Sequence, residues 1–313
     1  MANLTEKAKQ YLENFYAGPK IESFDPIELK AIMAQAPAPP QQNLPSIHRT
    51  EDRLITAKDG EDIRLRIYTP EGEGPFPALL YFHGGGWVIG SVEMFDAANR
   101  LVATEGNVVV VSVDYRLAPE YPYPTPIEDC YAALEWVAAN AAEINVDSSN
   151  ISVGGDSAGG NLSTVIAKKA LDQNGPEIQS QILIYPVTNL EFDTDSYNEF
   201  AEGFGLDRDL MKWFGIHYVG DEKLYKEPDV SPLKYESVQG LPPVIIIAAE
   251  NDVLKDEGIA YAEKLRQDGV SVQYETIPGV IHGFYSNMDF FGDETKQSVE
   301  YIVNFLNKVE QKA

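Results

Sequence analysis

From Pro77 onward the apolar residues fall in short unbroken runs: Ala78–Phe82, Val108–Val113, Ile151–Val153, Ile182–Tyr185, Val244–Ala248 and Val270–Tyr274. Runs of this length, apolar at odd and even positions alike, suit strands of a parallel sheet buried on both faces. Helix-like segments separate them near Phe95–Glu105, Pro126–Ile144, Ala158–Leu171 and Glu257–Gln267, with a last one near Thr295–Val309. Upstream, Arg53–Ala57 and Ile63–Thr69 alternate apolar and polar residues around Asp59-Gly60, which predicts an antiparallel hairpin at the sheet edge. Two hairpin strands and six buried ones give an α/β layered domain with eight strands, mostly parallel.

Two stretches break that rhythm. Leu4 to Ala34 has helical spacing and runs into a proline-rich segment ending at Pro45, so residues 1–45 read as a helical flap with a stiff linker. Residues 46–313 then form the main domain, interrupted from about 188 to 241 by a segment rich in Asp, Glu, Tyr and Phe with no strand-like run. Insertions at the carboxyl edge of a sheet commonly cover an active site.

Composition narrows the partners. With 24 Lys and Arg against 49 Asp and Glu, the formal charge is -25, which repels nucleic acid and anionic membrane surfaces. Neither nucleic acid nor a stable membrane association is therefore expected, and a homodimer is left open. The one cysteine, Cys130, allows no internal disulfide and sits in a helix-like stretch as a small apolar residue. The start of the chain lacks the apolar core of a secretory signal and no run approaches 18 apolar residues, so a cytoplasmic protein is expected.

Chemistry enters at Gly155-Asp156-Ser157-Ala158-Gly159, between a strand and an apolar helix. A serine on such a sharp strand-to-helix turn is held in a strained conformation with its hydroxyl exposed, and side chains two positions to either side would strike neighbouring backbone. Chance supplies about 0.1 such glycine-spaced serines in a chain of this composition, so the strand-turn-helix context carries much of the weight. A second run, His83-Gly84-Gly85-Gly86-Trp87, directly follows the strand Ala78–Phe82. Chance gives a His-Gly-Gly-Gly run only about 0.002 times. In lipases and esterases such a loop presents bare N–H groups to an oxyanion, together with the N–H after the nucleophile.

A serine nucleophile needs a base, which in this chain order follows it, as does an acid. Only four histidines exist. His48 and His83 precede Ser157, His83 being placed to order the glycine loop, and His217 lies among aromatics as a packed residue. His282, just past the last strand, is the general base and acid by elimination. Its orienting carboxylate belongs on the loop after Val244–Ala249, where Glu250, Asp252 and Asp256 all qualify. Asp256 falls where a helix begins, as an N-cap would, Glu250 is close to the strand end, and Asp252 is best placed at the loop tip.

These motifs, together with Asp114-Tyr115-Arg116-Leu117-Ala118-Pro119-Glu120, Asp252-Val253-Leu254-Lys255-Asp256-Glu257-Gly258 and His282-Gly283-Phe284, resemble the hormone-sensitive-lipase-like carboxylesterases, bacterial family IV. The resemblance implies the α/β-hydrolase fold with a helical cap built from the N-terminal region and the 188–241 insertion. It further implies a triad of Ser157, Asp252 and His282, oxyanion donors from the backbones of Gly84, Gly85 and Ala158, and hydrolysis of short- to medium-chain esters. Asp156 matches the branch with Asp before the nucleophile, whereas Val253 stands where the family often has Pro. The expected partner is a small ester, with no metal or organic cofactor. Activity should fall on the acid side as the base protonates. Amide, lactone and long-chain lipid cleavage use the same machinery, and a ligand-binding receptor on this fold is disfavoured because His282 is present.

Overall fold

The computed structural model describes residues 3–35 and 44–311. The expected linker falls partly on residues 36–43, outside the described residues. Eight strands form one sheet in the order β1-β2-β4-β3-β5-β6-β7-β8. They are β1 (Arg49–Thr56), β2 (Asp62–Thr69), β3 (Phe76–Phe82), β4 (Val109–Asp114), β5 (Val146–Asp156), β6 (Gln181–Ile184), β7 (Val244–Asn251) and β8 (Val272–Ile281). β1 and β2 pair antiparallel, as do β2 and β4, and every other neighbouring pair is parallel. The hairpin closes where expected, with Gly60 at φ +94° and Ala57 N–H donating to the Glu61 carbonyl at 2.7 Å.

Each parallel strand feeds two cores, because successive side chains point to opposite faces. Leu80 and Phe82 of β3, with Val109, Val111 and Val113 of β4, pack with α4 (Thr125–Ala139), α5 (Ala158–Gln173) and α8 (Lys255–Gln267), through Leu134, Leu162 and Leu265. Leu79 and Tyr81 face the opposite way, toward α3 (Asp96–Gly106) and α9 (Met288–Glu310), meeting Val102, Val299 and Ile302. This two-sided burial is why these strands read as unbroken apolar runs. Cys130 is fully buried in the first core, where burial pushes its thiol up well above the usual range.

The remaining helices lie at the carboxyl edge. α1 (Glu6–Tyr16) and α2 (Pro26–Gln35) precede the sheet, and α6 (Asp195–Glu199) and α7 (Arg208–Val219) interrupt it between β6 and β7. Thr5 caps α1, its hydroxyl accepting from Ala8 N–H, and its own N–H donates to the Gly279 carbonyl at 3.0 Å. Tyr16 joins α1 to the insertion by donating to Asp207 at 2.6 Å. Among the described residues no helix is long and apolar enough to cross a membrane.

Candidate active site

Parallel strands deliver their ends to one edge of the sheet, so β3, β5, β6, β7 and β8 bring His83, Ser157, Tyr185, Asp252 and His282 together there. Ser157 sits between β5 and α5 at φ +53° and ψ -117°. That left-handed value strains any residue with a β-carbon. The turn is held by Ser157 N–H donating to the Ile184 carbonyl at 2.8 Å and by Asn161 N–H donating to the Ser157 carbonyl at 3.0 Å. Its flanking glycines are steric necessities. A β-carbon on Gly155 would stand 2.2 Å from the Phe82 carbonyl oxygen, and one on Gly159 only 1.8 Å from it.

His282 Nε2 lies 2.9 Å from Ser157 Oγ, and its Nδ1 lies 2.7 Å from Asp252 Oδ2. The other Asp252 oxygen accepts Leu254 N–H at 3.0 Å, which fixes the carboxylate at the start of α8. Asp252 and His282 side chains are 1% and 11% exposed, so little water competes for their bond. The two alternative acids are engaged elsewhere. Glu250 accepts the Gly279 N–H at 2.7 Å, and Asp256 accepts the Ser196 N–H at 2.7 Å. Asp256 is therefore not the N-cap expected of it, since α8 already begins at Lys255 and the carboxylate reaches across to α6 instead. His48 is exposed, while His217 is half-buried on α7 with its ring 4.6 Å from that of Trp213.

The glycine loop explains itself peptide by peptide, since a trans peptide points its N–H opposite to its C=O. His83 Nδ1 is 2.7 Å from the Gly84 carbonyl oxygen. Burial holds the His83 imidazole below its usual pKa, so the ring is neutral, and pairing with a carbonyl assigns the proton to Nδ1. With that carbonyl pinned, the Gly85 N–H points away from His83. The Gly85 carbonyl accepts from Val88 and Ile89 N–H at 3.1 and 2.9 Å, which turns the Gly86 N–H the other way. Among the described residues the N–H groups of Gly85, Gly86 and Ala158 have no hydrogen-bond partner, Ala158 being the first residue of α5. Gly84 differs. Its N–H donates to Asp156 Oδ1 at 2.8 Å, so the expectation that Gly84 supplies an oxyanion donor is corrected: that N–H is already spent, and Gly86 carries the free one.

Several residues at the site carry no role that the sequence assigned. Asp156 is buried directly before the serine, and Tyr81 donates to its Oδ1 at 2.8 Å. Burial pushes its carboxyl up to about 6, against the hydrogen bonds from Tyr81 and Gly84 and the pull of His282. The signal was there, as a lone carboxylate between an apolar strand and a buried turn. Tyr185, whose ring centre is 4.4 Å from that of His282, and Phe214 of α7 gave none. A cavity of about 270 Å³ opens above Ser157, and its walls include Tyr11 and Phe15 of α1, Ile89, Leu210 and Phe214. Its lining is apolar apart from the reacting groups, Asp156 and a few small polar side chains. No cluster of three or more His, Cys, Asp or Glu that could hold a metal ion occurs among the described residues.

Fold and site together define a class. Residues 79–286 match the family model described as the alpha/beta hydrolase fold, and the chain belongs to that family. Carboxylesterase NlhH of Mycobacterium tuberculosis is 41% identical over 259 residues, covering 82% of this chain and 81% of that protein. Ethyl acetate hydrolase of Pseudomonas putida is 34% identical, covering 82% of each. Among solved structures, a hyperthermophilic esterase from Pyrobaculum calidifontis is 37% identical with a TM-score of 0.90, covering 99% of both chains. A fungal esterase from Rhizomucor miehei is 36% identical with a TM-score of 0.93, covering 99% of this chain and 98% of that one. Within the family the protein is a carboxylic ester hydrolase of the hormone-sensitive-lipase-like group.

Proposed function

We propose that this enzyme hydrolyses short- to medium-chain carboxylic esters by acyl transfer through Ser157, His282 and Asp252. The observation that carries the reading is the unbroken hydrogen-bond line from Ser157 Oγ to His282 and on to Asp252, at 2.9 and 2.7 Å. Ser157 Oγ attacks the ester carbonyl while His282 Nε2 takes its proton. Asp252 holds the Nδ1–H tautomer and stabilises the imidazolium that forms. The oxygen that becomes negative is received by the N–H groups of Gly85, Gly86 and Ala158, the last also at the positive end of the α5 dipole. The alcohol leaves with the proton from His282, and water, activated by the same imidazole, then releases the acid and restores Ser157.

The largely apolar cavity supports a neutral acyl or alcohol group, since the one carboxylate in its lining besides the reacting groups, Asp156, is already engaged by Tyr81 and the Gly84 N–H. The small size of the cavity supports short and medium chains over long ones. Replacing Ser157 with alanine should abolish turnover of p-nitrophenyl butyrate, and wild-type turnover by that variant would overturn the scheme. A panel of p-nitrophenyl esters from acetate to palmitate, run beside anilides and lactones, reads the substrate class. Fastest turnover of the palmitate, an anilide or a lactone would replace this reading with lipase, amidase or lactonase action.

A further inference from the structure

We propose that Asp156 is a positioning residue for oxyanion stabilisation: its carboxylate ties the glycine loop to the nucleophile turn through the Gly84 N–H. This rests on the acyl-transfer reading above. The two halves of the oxyanion site come from separate parts of the chain, Gly85 and Gly86 after β3 and Ala158 after β5. Their N–H groups must converge on one oxygen atom to within a few tenths of an ångström. The ends of the loop are anchored to the segment after β4, Tyr115 O–H donating to the His83 carbonyl at 2.7 Å and Ala118 N–H to the Trp87 carbonyl at 2.9 Å. Of the three pins on its glycines, two are internal, from His83 to the Gly84 carbonyl and from Val88 and Ile89 to the Gly85 carbonyl, and set the shape of the loop and not its distance from the nucleophile turn. The third pin, Gly84 N–H to Asp156 Oδ1 at 2.8 Å, spans 72 residues and ends on the neighbour of Ser157.

The fit is close enough to be mutual. A β-carbon on Gly84 would stand 2.3 Å from Asp156 Oδ2, so the residue at 84 has to be glycine because the carboxylate is there. Asp156 is 3% exposed, and burying a carboxylate costs several kcal/mol unless its oxygens are hydrogen-bonded. Tyr81 satisfies Oδ1 at 2.8 Å, and Tyr185 approaches Oδ2 at 3.5 Å. Electrostatics argues against any direct role, because a negative charge beside a developing oxyanion raises the barrier. What the carboxylate supplies is a planar acceptor of the right length, and an uncharged amide oxygen would supply the same.

The test compares Asp156→Leu, which keeps the branched shape and removes both acceptors, with Asp156→Asn, which keeps an acceptor and removes the charge. On p-nitrophenyl butyrate, with folding checked by thermal melting, Asp156→Leu should lose roughly 10–100-fold in kcat with KM within about 3-fold, a fraction of the 10²–10³ for deleting an oxyanion donor. Asp156→Asn should restore kcat to within about 5-fold of wild type. A folded leucine variant with wild-type kcat, a loss that falls on KM alone, or an asparagine variant as slow as the leucine one would each overturn the proposal. If the leucine chain does not fold, Asp156→Ser, whose hydroxyl is too short to reach Gly84, is judged by the same kcat criterion. Ser157→Ala is assayed alongside. Turnover by that variant would sink the acyl-transfer reading itself, whereas an inactive Ser157→Ala beside a fast Asp156→Leu would sink only the role of Asp156.

Discussion

Asp252 holds His282 with one oxygen, 2.7 Å from Nδ1, while its other oxygen accepts the Leu254 N–H at 3.0 Å. The carboxylate is thus clamped between the imidazole and the start of α8, and cannot rotate without giving up one of the two bonds. If Asp252 fixes the tautomer of His282, Asp252→Asn should lower kcat by roughly 10³–10⁴-fold while leaving KM close to wild type. The amide can still accept from Leu254, so the melting temperature should move little. Steady-state kinetics checks this, and a loss under 10-fold would move the role to another acid.

The glycine loop makes a second, steeper demand. Gly85 has φ +113°, and a β-carbon there would lie 2.1 Å from the Ile89 carbonyl oxygen. Gly85→Ala should therefore both strain the loop and turn its N–H off line. We expect a fall in kcat of at least 100-fold, the scale of one lost oxyanion donor, with a stability loss of about 1–3 kcal/mol. Denaturant unfolding and kcat together test it, and wild-type values in both would show that the loop tolerates a side chain.

Much of this site was legible in the sequence because its constraints are local. Steric exclusion at Gly155 and Gly159 is a property of the turn itself, and four histidines left one past the last strand. Strand identity was likewise plain wherever both faces are buried. Strand length was not: β8 reads as Val270–Tyr274 but runs from Val272 to Ile281, because its second half is fixed by pairing with β7 and by the contact of Gly279 with Thr5. The Gly84 error has the same origin. Which N–H of a glycine loop stays free depends on Asp156, 72 residues away, and no spacing rule carries that information. The role of Phe214 was hidden too, since an aromatic at helical spacing looks the same whether it packs on a core or on a loop.

Phe214 of α7 presses on that loop from above. A β-carbon on Gly86 would fall 2.1 Å from the Phe214 ring, and the same ring forms part of the cavity wall. One turn further along α7, Tyr218 stacks on Trp87 with ring centres 4.3 Å apart and planes within 5°. Phe214→Ala should widen the cavity and shift the best p-nitrophenyl ester by two or more carbons toward longer chains. It should also cost about 3–5 kcal/mol of stability, as buried Phe to Ala changes do. An unchanged chain-length profile in a folded variant would show that other walls set the limit.

Glu257 of α8 gives the last test, because burial and pH pull against each other there. It is fully buried, and its Oε1 accepts the N–H groups of Thr188 and Asn189 at 2.6 and 3.1 Å, holding the start of the insertion to the helix that follows Asp252. Burial, aided by the nearby charge of Asp252, pushes its carboxyl up to about 8, while those two hydrogen bonds pull the other way. An ordinary glutamate in the unfolded chain titrates near 4.3. Between these values the folded protein keeps a proton that the unfolded chain has released, so the contribution of Glu257 to stability falls as pH rises through that window. Glu257→Gln cannot titrate. The stability of wild type minus that of Glu257→Gln should therefore drop steadily from pH 5 to pH 8, by an amount on the order of a few kcal/mol. Taking the difference at each pH cancels the other carboxylates, including Asp156, whose own rise would otherwise tilt both curves alike. Denaturant unfolding of the two proteins across that range measures it, and a difference that stays constant with pH would mean that Glu257 is ionised in the folded enzyme.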